Sequence, residues 1–268
     1  MKLCHILIAL IILTLVSVEL VSSQTVLYRT YKERGIAALE AGNIPAATQL
    51  FQSALAEAQK LKDDELIADG NISLGNAYYS AKNLTGAELC YQNAVQIYVK
   101  IDGEDGTRAA YPMNNLGLLY TEQKKWDRAE EFIRRTISIR EKELGPTDVN
   151  VGITMINLGK LYSEQDKFVE ADAVYVQALQ ILMAYPEEKD HILMCLHNVA
   201  LTTESLNNFK RAEASHKMMI SIIEKTFGNK SKALIPYLKD YVSFLRRRDR
   251  KVDANRVDAR IRAIQKLK

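Results

Sequence analysis

The chain is poor in proline, glycine and cysteine, with 5, 12 and 3 of them among 268 residues. So few turn formers argue against a fold with many tight β-turns, and so few cysteines exclude a disulfide-rich scaffold. The net charge of +3 is also small, too weak to indicate a nucleic-acid partner. The helix formers Ala, Leu, Glu, Lys and Gln recur throughout the chain. This composition predicts an all-α protein.

The N-terminal stretch differs in composition from the rest. Lys2 precedes an apolar run of about 16 residues from Leu3 to Val18, and small or polar residues follow it up to position 23. The run is shorter than the roughly 20 residues that span a bilayer. The pattern predicts a signal peptide over residues 1–23, cleaved before Gln24, and hence an exported protein, either periplasmic or secreted. The alternative is an uncleaved N-terminal segment that tethers the chain to a membrane.

A small residue followed twelve positions later by alanine recurs along the chain at steps of 40–42 residues. Apolar residues recur every three or four positions within each half of a unit, which predicts two amphipathic helices. Short polar breaks such as Gln123 to Lys125 separate the halves. Each unit is therefore predicted to be a helix–turn–helix hairpin whose backbones approach closely at the small residues. The pairs are Gly35 and Ala47, Gly75 and Ala87, Gly117 and Ala129, Gly159 and Ala171, and Ala200 and Ala212, with a weaker sixth, Val242 and Ala254.

Three units also carry a Leu-Gly-x-x-Tyr pattern in the first half, as in Leu116-Gly117 with Tyr120. With the alanines of the second half, this pattern resembles the tetratricopeptide repeat (TPR). The step is near 42 instead of the usual 34 or so, and the turn ELGPTD after the second half resembles the long-repeat subclass found in kinesin light chains. The repeats are predicted at about residues 28–63, 64–106, 107–147, 148–188, 189–229 and 230–268.

The resemblance implies a right-handed α-solenoid of about six hairpins, because one hairpin cannot bury its own apolar face. It also implies a concave groove lined by the first helices. The last unit has Lys251 and Asp258 where the others have large apolar residues. It is therefore predicted to be a degenerate, basic cap.

In TPR proteins ligands contact the first helices, so the resemblance points to polar residues there. Two positions before the small residue the chain has Asn115, Asn157 and Asn198, whose amides can pair with the backbone of almost any peptide. The alternative is that each asparagine bonds the neighbouring helix in the stack. The Lys and Asn pairs with which chaperone-binding relatives hold a C-terminal carboxylate do not occur. The groove candidates are Asn76, Asn114, Asn115, Asn157, Lys160 and Asn198.

No recognisable catalytic motif is found. His191 and Cys195 lie four residues apart on one helical face, as a metal pair could, but a third ligand is not evident. Cys90 and Cys195 fall in apolar helical patterns and are predicted to be buried free thiols. Since the repeat explains nearly every other residue, we predict no catalytic residue, no metal and no cofactor, and thus no enzyme.

The C-terminal stretch from Phe244 to Lys268 carries ten Lys or Arg and three Asp. Its basic cluster is Arg246, Arg247, Arg248 and Arg250. Such a cluster is typical of a solvated cap helix, or of a surface that contacts anionic lipid headgroups or an acidic polymer.

Together these features predict a non-catalytic scaffold that binds a protein or peptide in its concave groove outside the cytoplasm. The alternative is a module that associates with a membrane surface or an acidic polymer through its basic C-terminal helix. Neither reading predicts a particular partner or oligomeric state.

Overall fold

The computed structural model of the protein describes residues 23–267. Helices joined by short turns make up this range, and it contains no β-strand. The predicted all-α, helical-repeat fold class is thereby confirmed. Residues 1–22 of the predicted signal peptide lie outside the described residues, so cleavage before Gln24 stays a prediction. Within the described range, no helix is both long and apolar enough to cross a membrane.

The chain divides into two compact units, Met1–Ile139 and Arg140–Lys268. Odd-numbered helices are the first helices of the predicted repeats, and even-numbered helices are the second. Unit 1 contains α1 (helical over residues 23–40), α2 (Ile44–Leu61), α3 (Asp64–Ser80), α4 (Leu84–Asp102), a 3₁₀ turn (Thr107–Ala109), α5 (Ala110–Glu122) and most of α6 (Trp126–Leu144). Unit 2 contains the end of α6, then α7 (Val149–Glu164), α8 (Phe168–Leu182), α9 (Lys189–Ser205), α10 (Phe209–Phe227), a 3₁₀ turn (Lys232–Leu234), α11 (Ile235–Arg247) and α12 (Lys251–Gln265).

In unit 1, the glycines of the first helices make room for large side chains of the second helices. A Cβ added to Gly75 would lie 2.6 Å from Cε1 of Tyr91, sixteen positions later. A Cβ on Gly35 would lie equally close to Phe51. The close approach predicted at the small residues also occurs, since a Cβ on Gly117 would lie 3.4 Å from the carbonyl oxygen of Ala129. A buried ring needs the space that a missing side chain leaves, whereas the alanines are simply buried beside it.

In unit 2 the same contact occurs between Gly159 and Tyr175. The next repeat has Ala200 and His216 at the corresponding positions. Alanine is larger than Gly159, and the histidine ring is smaller than that of Tyr175. His216 is buried between Tyr241 and Phe244, with ring centroids 5.9 and 5.3 Å away.

The turn inside each hairpin has one backbone geometry in all six repeats. The residue seven positions after the small residue has a positive φ in each repeat. At Lys82, for example, φ is 59°. The Lys82 amide donates to the Tyr79 carbonyl and the Asn83 amide donates to the Tyr78 carbonyl, which is the Schellman ending of a helix. The residues in this position are Gly42, Lys82, Lys124, Asp166, Asn207 and Asp249.

The second helices α2 and α4 both begin directly after an asparagine. The side chains of Asn43 and Asn83 accept hydrogen bonds from the backbone amides of Ala46 and Gly86. These contacts satisfy amides that a helix start leaves without an intrahelical partner. Asn43 and Asn83 are therefore the N-caps of α2 and α4.

Candidate functional site

The first helices of unit 1 border two adjoining cavities. Cavity A, of about 370 Å³, lies between α1, α3, α5 and the 3₁₀ turn before α5. Cavity B, of about 220 Å³, lies between α3 and α5, with Tyr91 of α4 in its wall. Asn76 lines both cavities, so they adjoin and form one surface along the first helices of unit 1. We call this surface the unit 1 face.

Two asparagines from neighbouring repeats are hydrogen-bonded on the unit 1 face. Asn115 Nδ2 donates to Asn76 Oδ1 at 3.2 Å, and the hydroxyl of Tyr91 donates to the same oxygen at 2.8 Å. Burial raises the pKa of Tyr91, so its hydroxyl keeps the proton that it donates. The alternative prediction, that the asparagine bonds the neighbouring helix, therefore holds for Asn115. Asn76 Nδ2 and Asn115 Oδ1 take part in neither bond.

The adjacent candidate Asn114 is half-buried and lines neither of these two cavities. It has interactions of its own within the protein. The structure therefore separates it from Asn76 and Asn115, although the three lie at similar repeat positions.

Unit 2 has a cavity of the same kind between its own first helices. Cavity C, of about 280 Å³, is lined by Lys160 and Ser163 of α7 and by Asn198 and Leu201 of α9. Ser163 Oγ lies 3.4 Å from the hydroxyl of Thr202, which links the two helices. Asn157 is half-buried, has interactions within the protein and does not line cavity C.

Comparison with known proteins identifies the repeat. One family model described as tetratricopeptide repeat matches residues 66–142 and 108–184. A second model with the same description matches residues 192–231. These matches cover more than half of the chain. The chain belongs to the tetratricopeptide repeat family. No curated protein sequence matches it significantly.

Solved TPR structures share the fold at low sequence identity. BtubC (BKLC) from P. vanneervenii is 22% identical with a TM-score of 0.66, over 72% of this chain and 78% of that one. A kinesin light chain of Podosopora anserina is 17% identical with a TM-score of 0.62, over 74% of this chain and 95% of that one. Aspartyl phosphate phosphatase F from Bacillus subtilis is 14% identical with a TM-score of 0.69, over 95% and 74%. These likenesses show that the chain shares the TPR fold of kinesin-light-chain-like proteins. TPR proteins are protein-interaction scaffolds.

One repeat position predicts cavity-lining residues more completely than the asparagines do. The residue directly after the small residue lines a cavity in each of the first five repeats. Asn76 and Lys160 were identified at this position, but its apolar members were not. The five residues are Ile36, Asn76, Leu118, Lys160 and Leu201. Other residues of cavity A, such as Asp69 and Arg108, occupy positions where the repeats have no common residue type, and the sequence did not indicate them.

In unit 2 the basic cluster of the cap is largely engaged within the protein. Arg246 pairs with Asp258, and Arg247 donates two hydrogen bonds of 2.8 Å to Glu204. Arg248 lies over the ring of Phe209, 3.8 Å from its centroid. These side chains fasten α11 and α12 to the preceding hairpin, so their charges are partly neutralised.

The fourth arginine of the cluster joins a network around Glu213. Arg250 pairs with Glu213 and Asp253, and the hydroxyl of Tyr241 donates to Glu213 at 2.7 Å. Partial burial would raise the pKa of Glu213, but hydrogen bonds from Lys217, Tyr241 and Arg250 together outweigh it and lower that pKa to about 2. The carboxylate therefore stays charged and bridges α10, α11 and the turn before α12.

The histidine and the cysteine that lie four residues apart in α9 have separate partners. His191 Nδ1 lies 2.7 Å from the carboxylate of Glu188, and Cys195 is buried with its thiol directed at the Tyr175 carbonyl. Cys90 and Cys195 are free and buried, as predicted. Among residues 23–267, no group of three or more His, Cys, Asp or Glu could hold a metal ion.

Proposed function

We propose that the protein is a non-catalytic scaffold that binds an extended peptide segment of a partner protein along the unit 1 face. The observation that carries the proposal is the Asn76–Asn115 pair at the junction of cavities A and B. An extended peptide presents backbone donors and acceptors along its length. Asn76 Nδ2 can donate to such a backbone and Asn115 Oδ1 can accept from it, while the cavities take side chains on either side.

Exposed apolar side chains on the same surface support the proposal. Ile36 and Tyr111, both in the wall of cavity A, are 41% and 48% exposed. Burying such groups against a ligand is favourable because apolar surface leaves water. In unit 2, Leu201 of cavity C is similarly exposed at 47%. A Rap protein of similar fold, 13% identical with a TM-score of 0.64, was solved in complex with competence and sporulation factor.

A random-peptide display library selected on the protein tests this proposal. Peptides obtained with the unmodified chain are measured against Asn115→Ala and Asn76→Ala. The matched control is Asn93→Ala, which removes a half-buried asparagine from the second helix α4, away from the unit 1 face.

We expect the control to bind like the unmodified chain. The two face variants should bind about tenfold more weakly, since one lost hydrogen bond is worth about 1 kcal/mol and desolvation of the partner group adds to it. Circular dichroism checks that all variants keep their helices. Peptides that bind all four proteins equally well would place the binding site elsewhere.

We also propose that the scaffold works outside the cytoplasm, on the strength of the leader pattern in residues 1–23. Mass spectrometry of the protein from its own host should find a mature N-terminus at Gln24, and an intact Met1 in the purified protein would refute cleavage. The alternative role for the basic cluster stays a prediction. Nothing in the described residues favours it, because the charges of Arg246, Arg247 and Arg250 are paired within the protein.

A further inference from the structure

Cavity A combines an apolar wall with a carboxylate. Ile36 and Leu39 of α1 and Ile72 of α3 form the apolar side, and Asp69 of α3 lies in the same lining. The ring of Tyr111 is also in the wall and is half exposed. A volume of about 370 Å³ falls within the range of about 300–1,000 Å³ that is typical of ligand pockets. The cavity is therefore large enough for one long side chain of a bound peptide.

The carboxylate of Asp69 is fixed on one side and open on the other. Tyr28 and Lys32 of α1 both donate to its Oδ2 atom. Oδ1 takes part in neither of these bonds, and the side chain is 34% exposed. The α1 contacts hold the group in place, so that its second oxygen can accept from a ligand without being ordered first.

Arg108, the cation in the lining of cavity A, is already engaged. Its guanidinium donates to both carboxylate oxygens of Asp102, one at 2.6 Å, and also to Glu65. Two carboxylates therefore neutralise one arginine, while Lys32 offsets Asp69. Taken together, the five ion-paired groups at the cavity carry one excess negative charge.

Tyr98, also in the lining of cavity A, lies in the same field. Burial is the first cause that raises the pKa of Tyr98, and the nearby carboxylate of Asp69 raises it further, while Arg108 acts in the opposite direction. An acidic ligand group would meet this negative field without a free cation. A purely apolar group would cover Asp69 and remove water from a charge that has an open oxygen, which is costly.

We propose that cavity A binds a lysine or arginine side chain of the peptide that lies along the unit 1 face. The aliphatic stem packs on Ile36, Leu39 and Ile72, as such stems do on apolar surface. The cationic head reaches Oδ1 of Asp69 and the ring of Tyr111, which attracts cations through its face. This inference depends on the proposed function, since it specifies one side chain of the same ligand.

The probe is the same random-peptide display library, now analysed by sequence. Selection on the unmodified chain should enrich Lys or Arg at one fixed position relative to the other selected residues. The selected peptide is then resynthesised with norleucine in place of that residue, which keeps the stem and removes the charge. We expect the norleucine peptide to bind about tenfold more weakly, the value of one charge-assisted hydrogen bond.

Variants of the protein test whether the preference for a basic residue arises at cavity A. Asp69→Asn should reduce the preference for the basic over the norleucine peptide to the part that Tyr111 contributes. Tyr111→Ala, at an exposed position, should weaken the basic peptide more than the norleucine peptide. Glu131→Gln is the matched control, because it removes an exposed carboxylate from the second helix α6. It should leave the preference for a basic residue unchanged.

The outcomes separate this inference from the proposed function. Peptides that depend on Asn115 but show no preferred basic position, or prefer Asp or Glu, would overturn the basic pocket and leave the scaffold proposal standing. Failure to obtain any Asn115-dependent peptide would overturn both. A basic preference that persists undiminished in both Asp69→Asn and Tyr111→Ala would move the site away from cavity A.

Discussion

Replacing Gly75 with alanine tests the contact on which each hairpin is built. Gly75 is buried in α3, and a Cβ there would lie 2.6 Å from Cε1 and 2.8 Å from Cδ1 of Tyr91. The ring is 2% exposed and its hydroxyl is held by Asn76, so it cannot turn away freely. Gly70 in the same helix is the matched control. A Cβ at Gly70 would lie 3.2 Å from Cδ1 at the flexible end of Leu55 and no closer than 3.4 Å to its backbone.

Gly75→Ala and Gly70→Ala gain the same helix propensity but differ in the cost of overpacking. Alanine is better than glycine inside a helix by about 1 kcal/mol, and both variants gain this. Overpacking a well-filled core costs about 1–3 kcal/mol, and only Gly75→Ala incurs it. We therefore expect Gly70→Ala to stabilise by up to about 1 kcal/mol. Gly75→Ala should lower the free energy of unfolding by up to about 2 kcal/mol, the difference between the two terms.

Urea unfolding followed by circular dichroism measures both variants, and an unchanged m value confirms that only stability differs. Adding Tyr91→Leu to Gly75→Ala should restore part of the loss, because the smaller side chain removes the clash and the two changes become non-additive. Equal stability of Gly70→Ala and Gly75→Ala would refute the argument that the glycine exists to make room for the ring.

Two further outcomes follow from the turns and from the buried histidine. Lys124 has a φ of 57°, so Lys124→Gly should raise the free energy of unfolding by about 0.5–1 kcal/mol, as relief of left-handed strain exceeds the entropy cost of glycine. Lys124→Ala, which keeps the strain, should gain nothing in the same urea titration, and an equal gain in both would argue against strain. Burial lowers the pKa of His216, whose Nδ1 has no partner. Because the unfolded chain then binds the proton more tightly, thermal stability should fall as pH drops below the ordinary histidine value of about 6.5. His216→Gln should reduce that loss, and an identical pH dependence in both proteins would contradict it.

The repeat architecture could be predicted because the same spacing of residue types recurs along the sequence. A glycine or alanine at the first five of these 40–42-residue steps, with alanine twelve positions later, indicated hairpins whose helices the structure contains. The left-handed turn was less visible. Gly42 signals it by residue type, as do Asn207, Asp166 and Asp249 more weakly, whereas Lys82 and Lys124 adopt the same φ because the surrounding hairpin imposes it.

The candidate site was predicted in part. Asn76, Asn115, Lys160 and Asn198 line cavities as expected of groove residues, but Asn114 and Asn157 line none of the three. Register places a residue on a helix face only to within a fraction of a turn, and adjacent positions differ by about 100° around the axis. Which neighbour reaches the cavity depends on packing.

What the sequence determined by itself is the family, the hairpin and the glycine-spaced core, because these depend on local periodicity and on residue size repeated at a constant step. What only the tertiary structure decided is the chemistry of the surface. Asp69 has an open oxygen because Tyr28 and Lys32 of another helix hold the first one. The charges of Arg246 and Arg247 are not free, because each forms an ion pair within the protein. The partners are Asp258 and Glu204. Such pairs join residues of different helices. Their energies depend on the distances between charged atoms, which cannot be read from the separation of the residues along the sequence.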